Sequence, residues 1–125
     1  MNAGRYSSKE QPVQVFNALA DPRFTDAKPN KVNAVKTDQI ETDVYYFRPG
    51  QQQGWHRHSD ADHALICLAG AGDLVLDSGT ELRIPLRPGT VALAPRGVWH
   101  AVHAGSEPLT VAQLCKFPSK VEERG

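Results

Sequence analysis

Histidine is distributed unevenly along this chain. Four of its five histidines, His56, His58, His63 and His100, fall in two short runs. The first run, G-Q-Q-Q-G-W-H-R-H-S-D-A-D-H, spans Gly50–His63. The second, G-T-V-A-L-A-P-R-G-V-W-H, spans Gly89–His100. Neutral imidazole is the commonest protein ligand for Zn, Cu, Fe and Ni. Residues i and i+2 of a strand share a face, so His56 and His58 can serve one ion together. The residues S-D-A-D read as a turn, after which a strand opens with His63 inward and Leu65 and Cys67 on the same side. His100 begins another strand after Pro95-Arg96-Gly97. Metal–nitrogen bonds of about 2.0–2.1 Å need ligands converging from several strands, and a barrel interior supplies that convergence. His103, three residues past His100, points to the opposite face.

The elements that position these residues are short. Ten glycines and nine prolines punctuate brief apolar stretches, the pattern of an all-β sandwich or barrel. The pattern predicts strands at Gln14–Phe16, Lys31–Lys36, Gln39–Phe47, Asp62–Ala69, Asp73–Asp77, Glu81–Ile84, Thr90–Ala94, Trp99–His103 and Leu109–Phe117. Arg48-Pro49-Gly50, Arg87-Pro88-Gly89 and Ala94-Pro95-Arg96-Gly97 read as turns. Ala69-Gly70-Ala71-Gly72 and Asp77-Ser78-Gly79 read as hairpin closures. Val13–Ala20 is the one stretch that suits a short helix, ended by Asp21-Pro22. The segment before residue 39 reads as an arm anchored by Phe16, Leu19 and Phe24 on the outside of the sheet or on a second subunit. Ser119–Gly125 reads as a solvated end.

Size and composition set the outer bounds. A chain of 125 residues is one domain by length, here 1–125 with a 1–38 arm, a 39–117 barrel core and a 118–125 tail. At 40% hydrophobic and 22% charged it is expected to fold rather than stay disordered. The formal net charge of zero argues against nucleic acid or an anionic membrane as partner. No apolar run reaches the roughly 18 residues that span a bilayer. The start, M-N-A-G-R-Y-S-S-K-E-Q-P, lacks the apolar core of a signal peptide. Two cysteines, Cys67 and Cys115, suit free thiols in a reducing cytoplasm better than a disulfide framework, although one bridge between them stays open. Cys67 reads as a small apolar filler and Cys115 as core. Trp55 and Trp99 each precede a candidate ligand, so alternation puts them on the outer face. Gln53 falls near the pocket mouth.

Taken together, the two runs resemble the paired motifs of the cupin superfamily. The first cupin motif is Gly, five residues, His-x-His, three or four residues, Glu, six residues, Gly. This chain has Gly50, five residues, His56-x-His58, four residues, His63, six residues, Gly70. The second motif is Gly, five residues, Pro-x-Gly, two residues, His, three residues, Asn. Here it reads Gly89, five residues, Pro95-x-Gly97, two residues, His100, three residues, Ala104. The resemblance covers Gln39 to Phe117. It implies a double-stranded β-helix, the jelly-roll barrel of the cupins, with an N-terminal arm. Carried over, it also implies His56, His58, His63 and His100 as metal ligands. His63 stands where the family has glutamate, and Ala104 where it has asparagine. Asp62 is the rival for the glutamate position. If it points inward, Ala64, Ile66 and Leu68 line the barrel instead.

An imidazole in place of a carboxylate leaves the bound ion its full +2 charge, which strengthens it as a Lewis acid and favours anionic or enolate-like ligands. The cofactor expected is a divalent transition metal (Fe, Ni, Zn, Cu or Mn), with nitrogen donors favouring Cu, Ni, Zn or Fe(II) over Mn. The leading expectation is a metal-dependent enzyme acting on a small organic molecule by dioxygenase-type oxidation of an enolisable, diketone or catechol-like substrate. A redox-neutral isomerase or lyase is the second expectation, and a non-enzymatic ligand-binding or metal-binding module the third. The pocket is expected to be lined by Leu65, Val91 and Leu93, with no separate general base evident. The absence of a DNA-binding helix argues against a transcription factor. Small cupins commonly pair, so the resemblance also implies a homodimer.

Overall fold

The computed structural model describes residues 13–124 of the chain. Ten strands follow one another without an intervening helix among those residues. They are β1 (Asn30–Lys36), β2 (Ile40–Phe47), β3 (His56–Arg57), β4 (His63–Ala69), β5 (Gly72–Asp77), β6 (Glu81–Leu86), β7 (Val91–Ala94), β8 (Trp99–Ala104), β9 (Leu109–Lys116) and β10 (Glu122–Glu123). They form two five-stranded sheets with orders β1-β2-β9-β4-β7 and β10-β3-β8-β5-β6. Every ladder is antiparallel. The sheets face one another as a double-stranded β-helix.

Seven of the expected strands form with ends shifted by a residue or two, and β6 runs on through Pro85. That proline costs no ladder bond of importance because β6 is an edge strand. Other expectations fail. Gln14–Phe16 forms no strand and Val13–Ala20 no helix. The side chain of Asn17 instead accepts from the Leu19 and Ala20 amides, 3.2 Å each, and bends the chain into a turn. Ala69–Gly72 closes no hairpin, because β4 and β5 lie in different sheets. The tail is not merely solvated: Glu122 and Glu123 pair with Arg57 and His56 and add β10 to the sheet edge. The opening residues read for a signal peptide lie outside the described part.

The arm packs on the outside of the first sheet. Phe16, Ala18 and Phe24 cover Val44 and Tyr46. Tyr46 donates its hydroxyl to the Ala18 carbonyl at 2.9 Å and meets the Phe24 ring edge-on at 5.6 Å. Leu19, expected as an anchor, is exposed instead.

Between the sheets the inward residues are graded along the strands. Phe47 pairs with Leu109, and Tyr45 and Cys67 with Val111, at one end. Asp43 and Leu65 pair with Gln113 further along, and Glu41 with Cys115 beyond that. Phe47, Leu65, Cys67, Leu74, Leu86, Val102, Leu109 and Val111 fill the apolar end and are fully buried. Truncating one such leucine to alanine costs about 2–5 kcal/mol. The polar end is left unfilled, and there the histidines gather.

Candidate metal centre

Two strands of the second sheet bring three imidazoles together. His56 in β3 pairs directly with His100 in β8. His58 follows at i+2 and returns to the same face. The turn before β8 holds this arrangement: Gly97, at φ +78°, donates its amide to the His58 carbonyl at 2.8 Å. The ligand nitrogens of His56, His58 and His100 all lie within 4.8 Å of one another.

Hydrogen bonds fix which nitrogen of each ring is free. His56 donates Nδ1–H to the Gly54 carbonyl at 2.9 Å, and His100 donates Nδ1–H to the Val98 carbonyl at 3.1 Å. Both therefore present an Nε2 lone pair. The Nε2 of His100 is buried and has no partner among the described residues. Burial first, then the neighbouring imidazoles, pushes His100 down to about 4; burial also lowers His56 and His58. The clustered rings thus stay neutral, as ligands must be. An orphaned buried nitrogen and a neutral imidazole donor set fit a divalent transition metal.

His63 enters from the first sheet. Its ring stacks on His58 at 3.7 Å between centroids and lies 5.9 Å from that of His100. It is buried, and its Nε2 also lacks a partner among the described residues. Burial and the three other histidines push it down to about 3. The Gln113 amide nitrogen donates to its Nδ1. In that orientation Nε2 keeps the hydrogen; turning the amide over reverses the roles and frees a lone pair. The geometric cluster of three does not include His63. Asp62 faces outward, accepting from the Arg96 amide at 2.9 Å and pairing with its guanidinium.

A cavity of about 660 Å³ opens on the histidines. His56, His58 and His63 line it, with Lys31, Glu41, Asp43, Tyr45, Gln113 and Cys115 from the first sheet. The apolar lining expected from Leu65, Val91 and Leu93 is absent: Leu65 belongs to the core, and Val91 and Leu93 are exposed on the outer face. Cys115 is a half-buried wall residue rather than core. Trp55 is not an outer-face residue alone, since it lines the cavity while stacking on the Arg124 guanidinium at 4.4 Å. Gln53 does reach the cavity, and it ties its loop to β8 by exchanging bonds with Val102. His103 stays outside the histidine cluster, bridged to Gln52. The polar wall on β2 escaped the sequence reading, although E-T-D-V-Y-Y-F carried the signal. Glu41 and Asp43 occur at i+2 steps on the same face as Tyr45 and Phe47.

Residues 43–115 match the family model described as Cupin domain. None of the curated proteins matches the chain. Among solved structures, a double-stranded β-helix protein from Klebsiella pneumoniae superposes with a TM-score of 0.79 at 18% identity, covering 89% of this chain and 96% of that one. TT1209 from Thermus thermophilus gives 0.75 at 23% identity, covering 82% and 96%. The polyketide cyclase RemF from Streptomyces resistomycificus gives 0.68 at 19% identity, covering 79% and 72%.

Proposed function

Because the chain belongs to the Cupin domain family, we propose that it is a metal-dependent enzyme converting a small, oxygen-rich organic molecule without net oxidation. His56, His58 and His100 hold a divalent transition metal, with His63 as a fourth imidazole when Gln113 presents its amide oxygen. The observation that carries this reading is the convergence of three imidazole nitrogens within 4.8 Å, those of His56, His58 and His100, of which His56 and His58 line an open cavity. When bound, the ion supplies Lewis acidity to a carbonyl or enolate oxygen. The Gly54 and Val98 carbonyls orient the rings of His56 and His100. The polar wall supports a hydrophilic substrate and proton-transfer chemistry. The fold relative named as a polyketide cyclase adds an enzyme built on the same barrel.

Dioxygen-dependent oxidation of an enolisable substrate is the second reading, favoured by the all-imidazole donor set, which leaves the ion its full charge. The two unpaired thiols suit a reducing cytoplasm. A homodimer formed through the outer face of the first sheet completes the proposal.

The test is elemental analysis of untagged protein beside its His56→Ala, His100→Ala and His63→Ala variants. The wild type is expected to hold one ion per chain, the first two variants to lose it, and His63→Ala to bind it more weakly. A wild type without metal, or full loading in His56→Ala, overturns the site. Oxygen uptake by the Fe(II)-loaded protein with a diketone would return the oxidative reading to first place.

A further inference from the structure

The strand that carries His56 is slightly built. β3 is two residues long, and its ladder with β8 is the single pair His56 and His100. Its other edge is covered by the segment that follows β9. There Glu122 and Glu123 pair with Arg57 and His56, and the Arg124 amide donates to the Trp55 carbonyl at 3.1 Å. At the near end of the same segment the Lys120 amide donates to an Asp60 carboxylate oxygen at 2.8 Å. The Ser119 hydroxyl oxygen comes to 3.5 Å from Nδ1 of His58. Residues 119–124 therefore bracket His56 and His58 together, from Trp55 to Asp60.

Side chains fasten the segment at its far end. Glu122 accepts two bonds from the Arg57 guanidinium, at 2.9 and 3.2 Å. Arg124 pairs with Asp77 of β5 at 3.0 Å. Its guanidinium lies 4.4 Å from the Trp55 ring and 5.4 Å from that of Trp99, and Arg57 lies 4.3 Å from Trp99. The two tryptophans that precede His56 and His100 thus form a ledge for two arginines. Toward the cavity the residues alternate: Phe117, Ser119, Val121 and Glu123 line it at i+2 steps. Val121 is 60% exposed, so it does not anchor the segment in the core. What holds residues 119–124 is a two-residue ladder, solvent-accessible ion pairs and cation–π contacts, each of which contributes little alone.

We propose that residues 119–124 form a strap whose closure over the cavity and metal binding by His56, His58 and His100 are one coupled equilibrium. The inference rests on the metal reading given above. With the strap closed, β3 has a partner on both edges, and the rings of His56 and His58 are held where their nitrogens converge with that of His100. With it open, the backbone around these two histidines keeps only the single pair with β8 and the Gly97–His58 bond. The cavity then also loses the wall made by Ser119, Val121 and Glu123. Opening admits a substrate and loosens the donor set in the same movement. Because coupling is reciprocal, an ion that binds the closed form better also holds the strap shut. Arg57, Glu122 and Arg124 are the positioning residues of this device.

The experiment titrates untagged full-length protein with cobalt(II), whose visible absorption reports ligand geometry, and follows hydrogen exchange at the Arg124 amide with and without the ion. Cobalt is expected to slow that exchange by about 5–150-fold, the usual range for coupling between two sites. The Glu122→Gln/Arg124→Gln variant is expected to bind cobalt about 10–100-fold more weakly, as when groups that orient metal ligands are removed. Its cobalt spectrum is expected to change while the melting temperature of the metal-free protein does not. Arg57→Glu is expected to weaken binding, and Arg57→Glu/Glu122→Arg to restore it. Equal exchange at Arg124 with and without bound cobalt overturns the strap, and that measurement needs no variant to fold. Wild-type cobalt affinity in Glu122→Gln/Arg124→Gln also overturns it. In both cases wild type binds cobalt, so the metal reading stands. A wild type that binds no cobalt overturns the metal reading and the coupling with it.

Discussion

His63 shows how much a single side chain decides here. Its ring is held by Gln113 at Nδ1 and by His58 across its face, and its Nε2 is buried without a partner among the described residues. The Gln113 amide decides whether that last nitrogen offers a lone pair or a hydrogen, so a residue fifty positions away sets what His63 can do. Neutral burial of these rings also has a consequence for stability. His63 and His100 are held near 3 and 4 in the folded protein against 6.5 when unfolded. Between pH 6.5 and about 4 the unfolded chain therefore binds protons that the folded chain refuses, and stability falls as pH falls through that window. Calorimetry of metal-free protein at pH 7.5, 6.0 and 4.5 is expected to show a falling melting temperature. A His63→Leu/His100→Leu variant is expected to show a shallower fall. A melting temperature that rises on acidification across this window would refute neutral burial.

At the scale of elements, turns carry the site as much as strands do. Gly70 sits at φ +82°, where it turns the chain from one sheet into the other, and a Cβ there would stand 1.7 Å from the Pro108 carbonyl oxygen. Gly79 has a similar φ of +108° but open space around it. Replacing Gly79 by alanine is expected to cost about 1 kcal/mol through backbone strain alone, and Gly70→Ala about 2–4 kcal/mol, strain plus collision. Paired urea denaturations check this, and equal losses would mean that the Pro108 contact carries no weight. Most strands were legible in the sequence because period-2 alternation and turn residues are local properties. The two short strands were not. His56–Arg57 and Glu122–Glu123 have no alternation long enough to read; the first is held as a strand by pairing with β8 and the second by pairing with the first. The arm was legible as an outer anchor through Phe16 and Phe24, but not in its detail at Leu19.

At the scale of the whole molecule, the arm covers only part of the first sheet's outer face. Leu114, Ala64 and Leu93 form one row across β9, β4 and β7, and Ala112, Ile66 and Val91 form the next. Val91 and Leu93 are more than half exposed, and β7 is an edge strand. An uncovered apolar row beside a free strand edge fits a second copy of the chain. Sedimentation at micromolar concentration is expected to give a dimer for wild type and a monomer for Leu93→Glu; a wild-type monomer would sink the pairing. No helix among the described residues is long and apolar enough to cross a membrane. The histidine spacings and glycine–proline punctuation were enough, without coordinates, to indicate the family, the barrel and three histidines whose nitrogens converge closely enough to hold a metal ion. Local spacing sets which face a side chain takes, and motif spacing sets which strands carry it. Only the tertiary structure decided what faces the histidines. Cross-strand register brings Glu41, Asp43 and Gln113 to the same end of the barrel as His63, so these polar side chains line the cavity where Leu65, Val91 and Leu93 were expected. Register depends on pairing between residues far apart in the chain, and no local pattern encodes it.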